Sequence, residues 1–233
     1  MEAWRRDFRD AARSVRRVTL DEAMTRRVDG PRGTVAVETR GTLTLDAPDR
    51  GGGPAGRVLR SATVDGRAVE PERVAELDRR LVRAFGGSEE AARPPRLLPP
   101  ALDRGEPVGL DLDTVDGQPA WRVSLRVPPG GPPGGARGGP RGRARHGGDA
   151  PPDRASAWFS RSTDAPRLLR LRTEGERPGG GAFVRTVDYR RTDGLDLPAA
   201  MSARVEVRQR RRLRVYATSV AADARYSRPV VGR

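Results

Sequence analysis

Three of the four Asp-Gly pairs, Asp65-Gly66, Asp116-Gly117 and Asp193-Gly194, sit between segments in which apolar and polar residues alternate. A two-residue Asp-Gly loop joins antiparallel strands whose twist it matches, so each pair marks a hairpin. The clearest hairpin spans 108–127. Val108, Leu110 and Leu112 alternate up to the turn, and Trp121, Val123, Leu125 and Val127 alternate away from it. Such alternation is the signature of a sheet with one face buried and one face wet.

The same period runs through Val35, Val37, Leu43 and Leu45, with Thr, Glu, Arg and Asp between them. A weaker pair of strands covers Val58 to Val69, and another hairpin joins Ala157-Trp158-Phe159 to Leu168–Leu171. Strand pattern then continues from Phe183 through Leu195 and Val205 to Tyr226. Residues 3–28 read differently. Trp4, Phe8, Ala11 or Ala12, and Val15 follow the helical spacing, and Thr19 with Glu22 has the form of a capping box opening a second helix that carries Leu20, Met24 and Val28. Pro71 opens a further helix through Phe85, closed by Gly86-Gly87, and Pro94–Pro100 reads as a linker or crossing segment.

The order is therefore helices, strands, one helix, then strands to the end. This predicts an α+β chain with a large antiparallel sheet rather than alternating βαβ units. With 233 residues it fits one domain over 1–233. Only 35% of residues are hydrophobic, and there are 28 Gly and 21 Pro, so part of the chain must lie outside any core. Residues 128–152, almost wholly Gly, Pro and Arg, are the expected part: a disordered insertion between two strands.

Enzyme chemistry finds little support. The single histidine, His146, lies in that Gly/Arg tract, where no nucleophile could hold it in register. Asp111 and Asp113 fall on the polar side of a strand and read as solvated carboxylates, not as a glycosidase pair. Gly51-Gly52-Gly53 and Gly179-Gly180-Gly181 do not open phosphate-cradling helices. With no cysteine there is neither thiolate catalysis nor a Cys-ligated metal, and no calcium-loop spacing occurs. The sequence reads as a non-enzyme that needs no metal or cofactor.

Its formal net charge is +14, and every basic residue is arginine. Arg204, Arg208, Arg210, Arg212 and Arg214 would form a cationic stripe on one face of an extended segment if no turn interrupts it. Together with Arg137, Arg141, Arg143 and Arg145, that stripe offers a polyanion-binding alternative, for nucleic acid or anionic lipid headgroups. The Arg/Gly tract carries no Phe or Tyr to stack bases, which leaves nucleic acid the weaker of these partners.

The second half also resembles a known family. It contains Thr114-Val-Asp116-Gly117-Gln-Pro-Ala-Trp121-Arg-Val, then Ala157-Trp158-Phe159 and Ser162-Thr-Asp-Ala-Pro166-Arg-Leu-Leu-Arg. After these comes Val187-Asp-Tyr189-Arg-Arg-Thr-Asp193-Gly194-Leu195-Asp-Leu197-Pro198 and a basic strand. This succession, over about residues 108–200, resembles the outer-membrane lipoprotein-sorting, LolA-like proteins. Over 1–107 the likeness is one of topology.

The resemblance implies an unclosed antiparallel half-barrel whose concave face is covered by helices and holds lipid or lipoprotein acyl chains. It further implies a periplasmic or cell-envelope monomer that exchanges cargo with membrane-bound donor and acceptor proteins. Met1–Asp10 carries no apolar run of signal-peptide length, and no stretch reaches the 18 or so apolar residues of a spanning helix, which leaves the cytoplasm open as well. The side chains expected to face an apolar interior are Val35, Val37, Leu110, Leu112, Trp121, Val123, Leu125, Phe159, Leu169, Leu171, Val205 and Val207.

Overall fold

The computed structural model describes residues 1–31, 33–47, 53–70, 73, 94–127, 154–162, 166–176, 181–211 and 214–233. These three Asp-Gly pairs form hairpin loops. Asp65, Asp116 and Asp193 have φ of 49°, 51° and 50°, and the glycines after them 77°, 78° and 83°. Positive φ at both positions carries the strand twist through a two-residue loop, and glycine takes the second position without strain.

Among the described residues the chain forms a sheet of eleven strands. The first four are β1 (Arg17–Gly30), β2 (Gly33–Asp46), β3 (Pro54–Val64) and β4 (Arg67–Ala68). The rest are β5 (Glu106–Val115), β6 (Gln118–Arg126), β7 (Arg154–Ser160), β8 (Leu168–Glu176), β9 (Ala182–Thr192), β10 (Leu195–Arg211) and β11 (Arg214–Gly232). The spatial order is β4-β3-β2-β1-β11-β10-β9-β8-β7-β6-β5. Two meanders are thus sewn together by the antiparallel pairing of β1 with β11. The terminal strands β4 and β5 do not pair, so the half-barrel is unclosed, as the family resemblance implies.

Helix α1 (Glu2–Ala12) buries Trp4, Phe8 and Ala12 against one face of the sheet. Helix α2 (Pro100–Arg104) buries Ala101 and Leu102. The Pro-rich segment before α2 is an extended crossing, in which Pro95, Leu97 and Pro99 are buried. The helix expected over 71–85 lies, apart from Arg73, outside the described residues, as does the insertion at 128–152.

The second N-terminal helix is corrected. Residues 17–30 form β1, paired with β2 on one side and β11 on the other. Leu20, Met24 and Val28 are four apart, a spacing that is one helical turn and also two full strand repeats. Pairing on both sides, broken only by a bulge against β11 between Thr19 and Asp21, gives these fourteen residues backbone partners that the end turns of a short helix would lack. Glu22 is consequently no helix cap: it is buried on the inner face and bonded to Arg57.

The inner face is legible row by row. Ala62, Thr39, Met24, Ala224, Met201, Val187, Leu171, Ala157, Val123 and Leu110 lie side by side across ten strands. The first nine are buried; Leu110, on the edge strand, is not.

Candidate functional site

The inner face divides into three parts. Under α1 the space is filled. The Trp4 ring stacks on Phe8 with centroids 5.2 Å apart and meets Phe159 at 5.6 Å. Its Nε1–H donates to Asp196 Oδ2 at 2.8 Å, and the backbone N–H of Leu168 donates to the same oxygen at 2.9 Å. Arg191 stands 3.5 Å from the other carboxylate oxygen, so this buried charge is paired as well as hydrogen-bonded. Arg5 fixes the helix from outside, donating to the carbonyls of Leu102 and Gly105 at 2.7 and 2.6 Å, and Arg9 pairs with Asp103 at 3.0 Å.

A polar band follows along the strands. Arg57 bonds Glu22 and reaches Thr39 Oγ1 at 3.3 Å, while Arg26 Nε lies 3.0 Å from Met24 Sδ. Arg26, Ala222, Ala203 and Arg185 share one cross-strand row, so two alanines leave room for the long side chains on either side. Burial, reinforced by the Glu22 charge, pushes the Tyr226 phenol far up. Burial does the same to Tyr189, so both phenols stay neutral at physiological pH. Beyond the band a smaller apolar cluster holds Phe183, Ala203, Val205, Val220 and Ala222.

The third part is uncovered. Along one row, exposure climbs toward the edge: Leu168 2%, Phe159 4%, Trp121 36%, Leu112 62%. In the adjacent row it climbs from Ala157 and Val123, both buried, to Leu110 at 62%. Val108, the extra residue of a bulge between Pro107 and Gly109, is 55% exposed. The strip is thus a continuation of the core surface that nothing among the described residues covers. Arg161 sits over the Trp121 ring, 5.6 Å from its centroid, at the strip's end.

The twelve residues expected inside divide accordingly. Val37, Val123, Leu125, Phe159, Leu171 and Val205 are buried. Leu110, Leu112 and Trp121 form the exposed strip, and Val35, at the far end of β2, is 41% exposed. Leu169 is only half-buried: a bulge between Trp158 and Phe159 brings Leu168 opposite Phe159 and gives Leu168 the buried place. Val207 lies on β10, and nothing further is described of its side chain. Sequence reasoning missed Leu168 and the charged pair of Glu22 and Arg57. The doublet Leu168-Leu169 signals an apolar position without saying which residue takes it.

The arginine stripe is corrected as well. β10 ends at Arg211 and β11 begins at Arg214, and these two residues pair across the hairpin. Arg204, Arg208 and Arg210 share a register phase on β10, whereas Arg214 takes the phase of Arg211 on the next strand. Arg212 lies outside the described residues. The five do not form one face of one strand.

The edge strand is anchored on its outer side. Trp158 Nε1–H, on β7, reaches across β6 to donate to Asp113 Oδ2 at 3.0 Å, and Arg122 bonds Asp111 at 2.8 Å. The Trp158 hydrogen bond is the main reason that the Asp113 carboxyl is held below the usual carboxylate range, with the Thr114 N–H and Arg122 assisting. A carboxylate whose folded value is depressed stabilises the fold above its unfolded value and loses that contribution as pH falls through the folded one. Trp158 emission is therefore expected to change with a midpoint below about pH 4. D113N abolishes that transition.

No protein-family model matches this chain, and no curated protein matches it. Among solved structures it is similar to MucB in complex with MucA(peri), 10% identical over 97% of this chain and 93% of that one, with a TM-score of 0.23. It is similar to a DUF1329 family protein from Desulfovibrio piger, 11% identical over 99% of this chain and 92% of that one, with a TM-score of 0.40. Its structural neighbours also include a domain from Vibrio parahaemolyticus described as that of an outer membrane lipoprotein-sorting protein, 9% identical over 99% of this chain and 91% of that one, with a TM-score of 0.42.

Proposed function

We propose that this chain is a non-enzymatic binding protein of the bacterial cell envelope that receives the acyl chains of lipid or of a lipidated protein on the inner face of its half-barrel. The observation that carries this reading is the apolar strip of Leu110, Leu112 and Trp121, exposed yet continuous in register with the buried core. Contiguous apolar surface of this kind marks an interaction site in a soluble protein. An acyl chain laid along it gains about 0.8 kcal/mol for each CH₂ taken out of water, and binding needs no covalent chemistry.

In this reading the chain acts as a single monomeric domain, and α1 is the lid. Trp4, Phe8 and Phe159 fill the space that a longer chain would take, so deeper insertion displaces the helix from its Asp196 anchor. A membrane-bound donor or acceptor would then act by loosening the contacts of Arg5 and Arg9 with the α2 segment.

Native mass spectrometry with dihexanoyl, diheptanoyl and dioctanoyl phosphatidylcholine tests the reading, because the headgroup is constant and only chain length varies. Acyl burial requires affinity to rise by about fourfold for each CH₂ buried. An affinity independent of chain length sinks the proposal.

A further inference from the structure

On the opposite, outer face the strands β6, β7 and β8 form a second feature. Ser124, Ser156 and Arg172 lie in one cross-strand row, between the row of Arg122 and Trp158 and the row of Arg154 and Glu174. Small serines flanked by long side chains leave a trough, and a cavity of about 210 Å³ opens there, lined by Arg122, Arg154, Ser156, Trp158, Arg172 and Glu174. Three guanidiniums face one carboxylate.

Several arginines elsewhere on the outer face are engaged by acids: Arg60 with Asp21, Arg17 with Asp46, and Arg170 with both Asp188 and Asp116. In the trough the only lining acid, Glu174, is taken by Arg172 at 3.2 Å. The terminal nitrogens of Arg122 are turned to Asp111 and Asp113, which leaves its buried Nε–H without an acceptor among the described residues. Arg154 has neither an ion pair nor a side-chain hydrogen bond among the described residues, and the Ser156 hydroxyl has no partner there. The Trp158 ring, pinned by Asp113, makes a rigid wall.

We infer that this trough binds a phosphate-sized oxyanion, with Arg154 as the principal cation and Arg122 Nε–H and the Ser156 hydroxyl as further donors. A tetrahedral phosphate presents acceptors in several directions at once, as this divergent set of donors requires, and arginine favours it through charge-assisted hydrogen bonds. The same chemistry belongs to a free phosphate and to a phosphomonoester lipid headgroup. This site is separate from the apolar strip and does not depend on it.

Calorimetric titration of the purified chain with inorganic phosphate at low ionic strength is the test. Saturable binding is expected, weakened at least about tenfold by R154Q, since the variant removes the charge that strengthens the hydrogen bond. R60Q, equally on the outer face but outside the trough, leaves it unchanged. A second arm uses phosphatidate and phosphatidylcholine vesicles. Phosphatidate-selective sedimentation lost in R154Q identifies a headgroup site, and phosphate binding without it identifies a small-anion site. The inference is overturned if neither ligand binds, or if R60Q weakens binding as much as R154Q, the mark of diffuse positive charge.

Discussion

Replacing Trp4 by alanine is expected to lower the thermal midpoint by about 10 °C, since truncating a buried tryptophan costs about 3–5 kcal/mol and each kcal/mol shifts a chain of this size by about 2–4 °C. Three losses combine. The ring leaves a cavity against Phe8 and Phe159, its indole N–H no longer serves Asp196, and α1 loses its deepest contact with the sheet. W4F separates them, because it keeps most of the apolar volume and removes only the donor. Its expected cost is about 1–3 kcal/mol, the penalty for a buried acceptor losing a partner, softened here by the Leu168 N–H and Arg191 that Asp196 keeps. Thermal unfolding followed by circular dichroism measures both. A shift below about 2 °C for W4A, well under the range for a buried ring, would mean that α1 is not docked as described.

The double substitution L110S/L112S is expected to act in the opposite way, on binding and not on folding. Both side chains are mostly exposed, so their loss changes stability by about 0.5 kcal/mol at most each. In a complex that covers them, each leucine contributes about 1.5–3 kcal/mol of transfer free energy, so affinity for dioctanoyl phosphatidylcholine is expected to fall at least about a hundredfold. V230S is the matched control, for Val230 is as exposed but lies on β11, away from the strip. Equal losses in the control and the double variant would mean that the lipid coats any apolar surface.

Much of the sheet was legible because its turns are local. Asp65-Gly66, Asp116-Gly117 and Asp193-Gly194 carry their conformation in two residues, and alternation on either side sets which face is buried. The hairpin joining β10 to β11 was not legible, because Arg212 and Leu213 have none of the Gly, Pro, Asn or Asp chemistry that signals a turn. The unbroken arginine stripe was the price of that silence. β1 was misread because a four-residue spacing serves helix and strand alike, and only long-range pairing with β11 decides between them.

The candidate site shows the same division. Alternation assigned Leu110, Leu112, Trp121 and Val123 to one face, which the register bears out. It could not rank them by depth, since depth depends on β5 being the last strand and on where α1 lies. Bulges shift phase by one residue, which is why Leu168 and not Leu169 reaches the buried row. The carboxylate of Asp196 has no sequence signal at all. It sits in a Leu-Asp-Leu run as any strand aspartate might, and its role comes from Trp4, 192 residues away.

The central claim, that acyl chains lie on the inner face beginning at the β5–β6 strip, is tested most directly by photolabelling with a fatty acid that carries a diazirine near its end. Peptide mapping is expected to find label on Leu110, Leu112, Trp121 and Phe159 and on the apolar side of α1. Label confined to the outer face, or spread evenly over both faces, would contradict it.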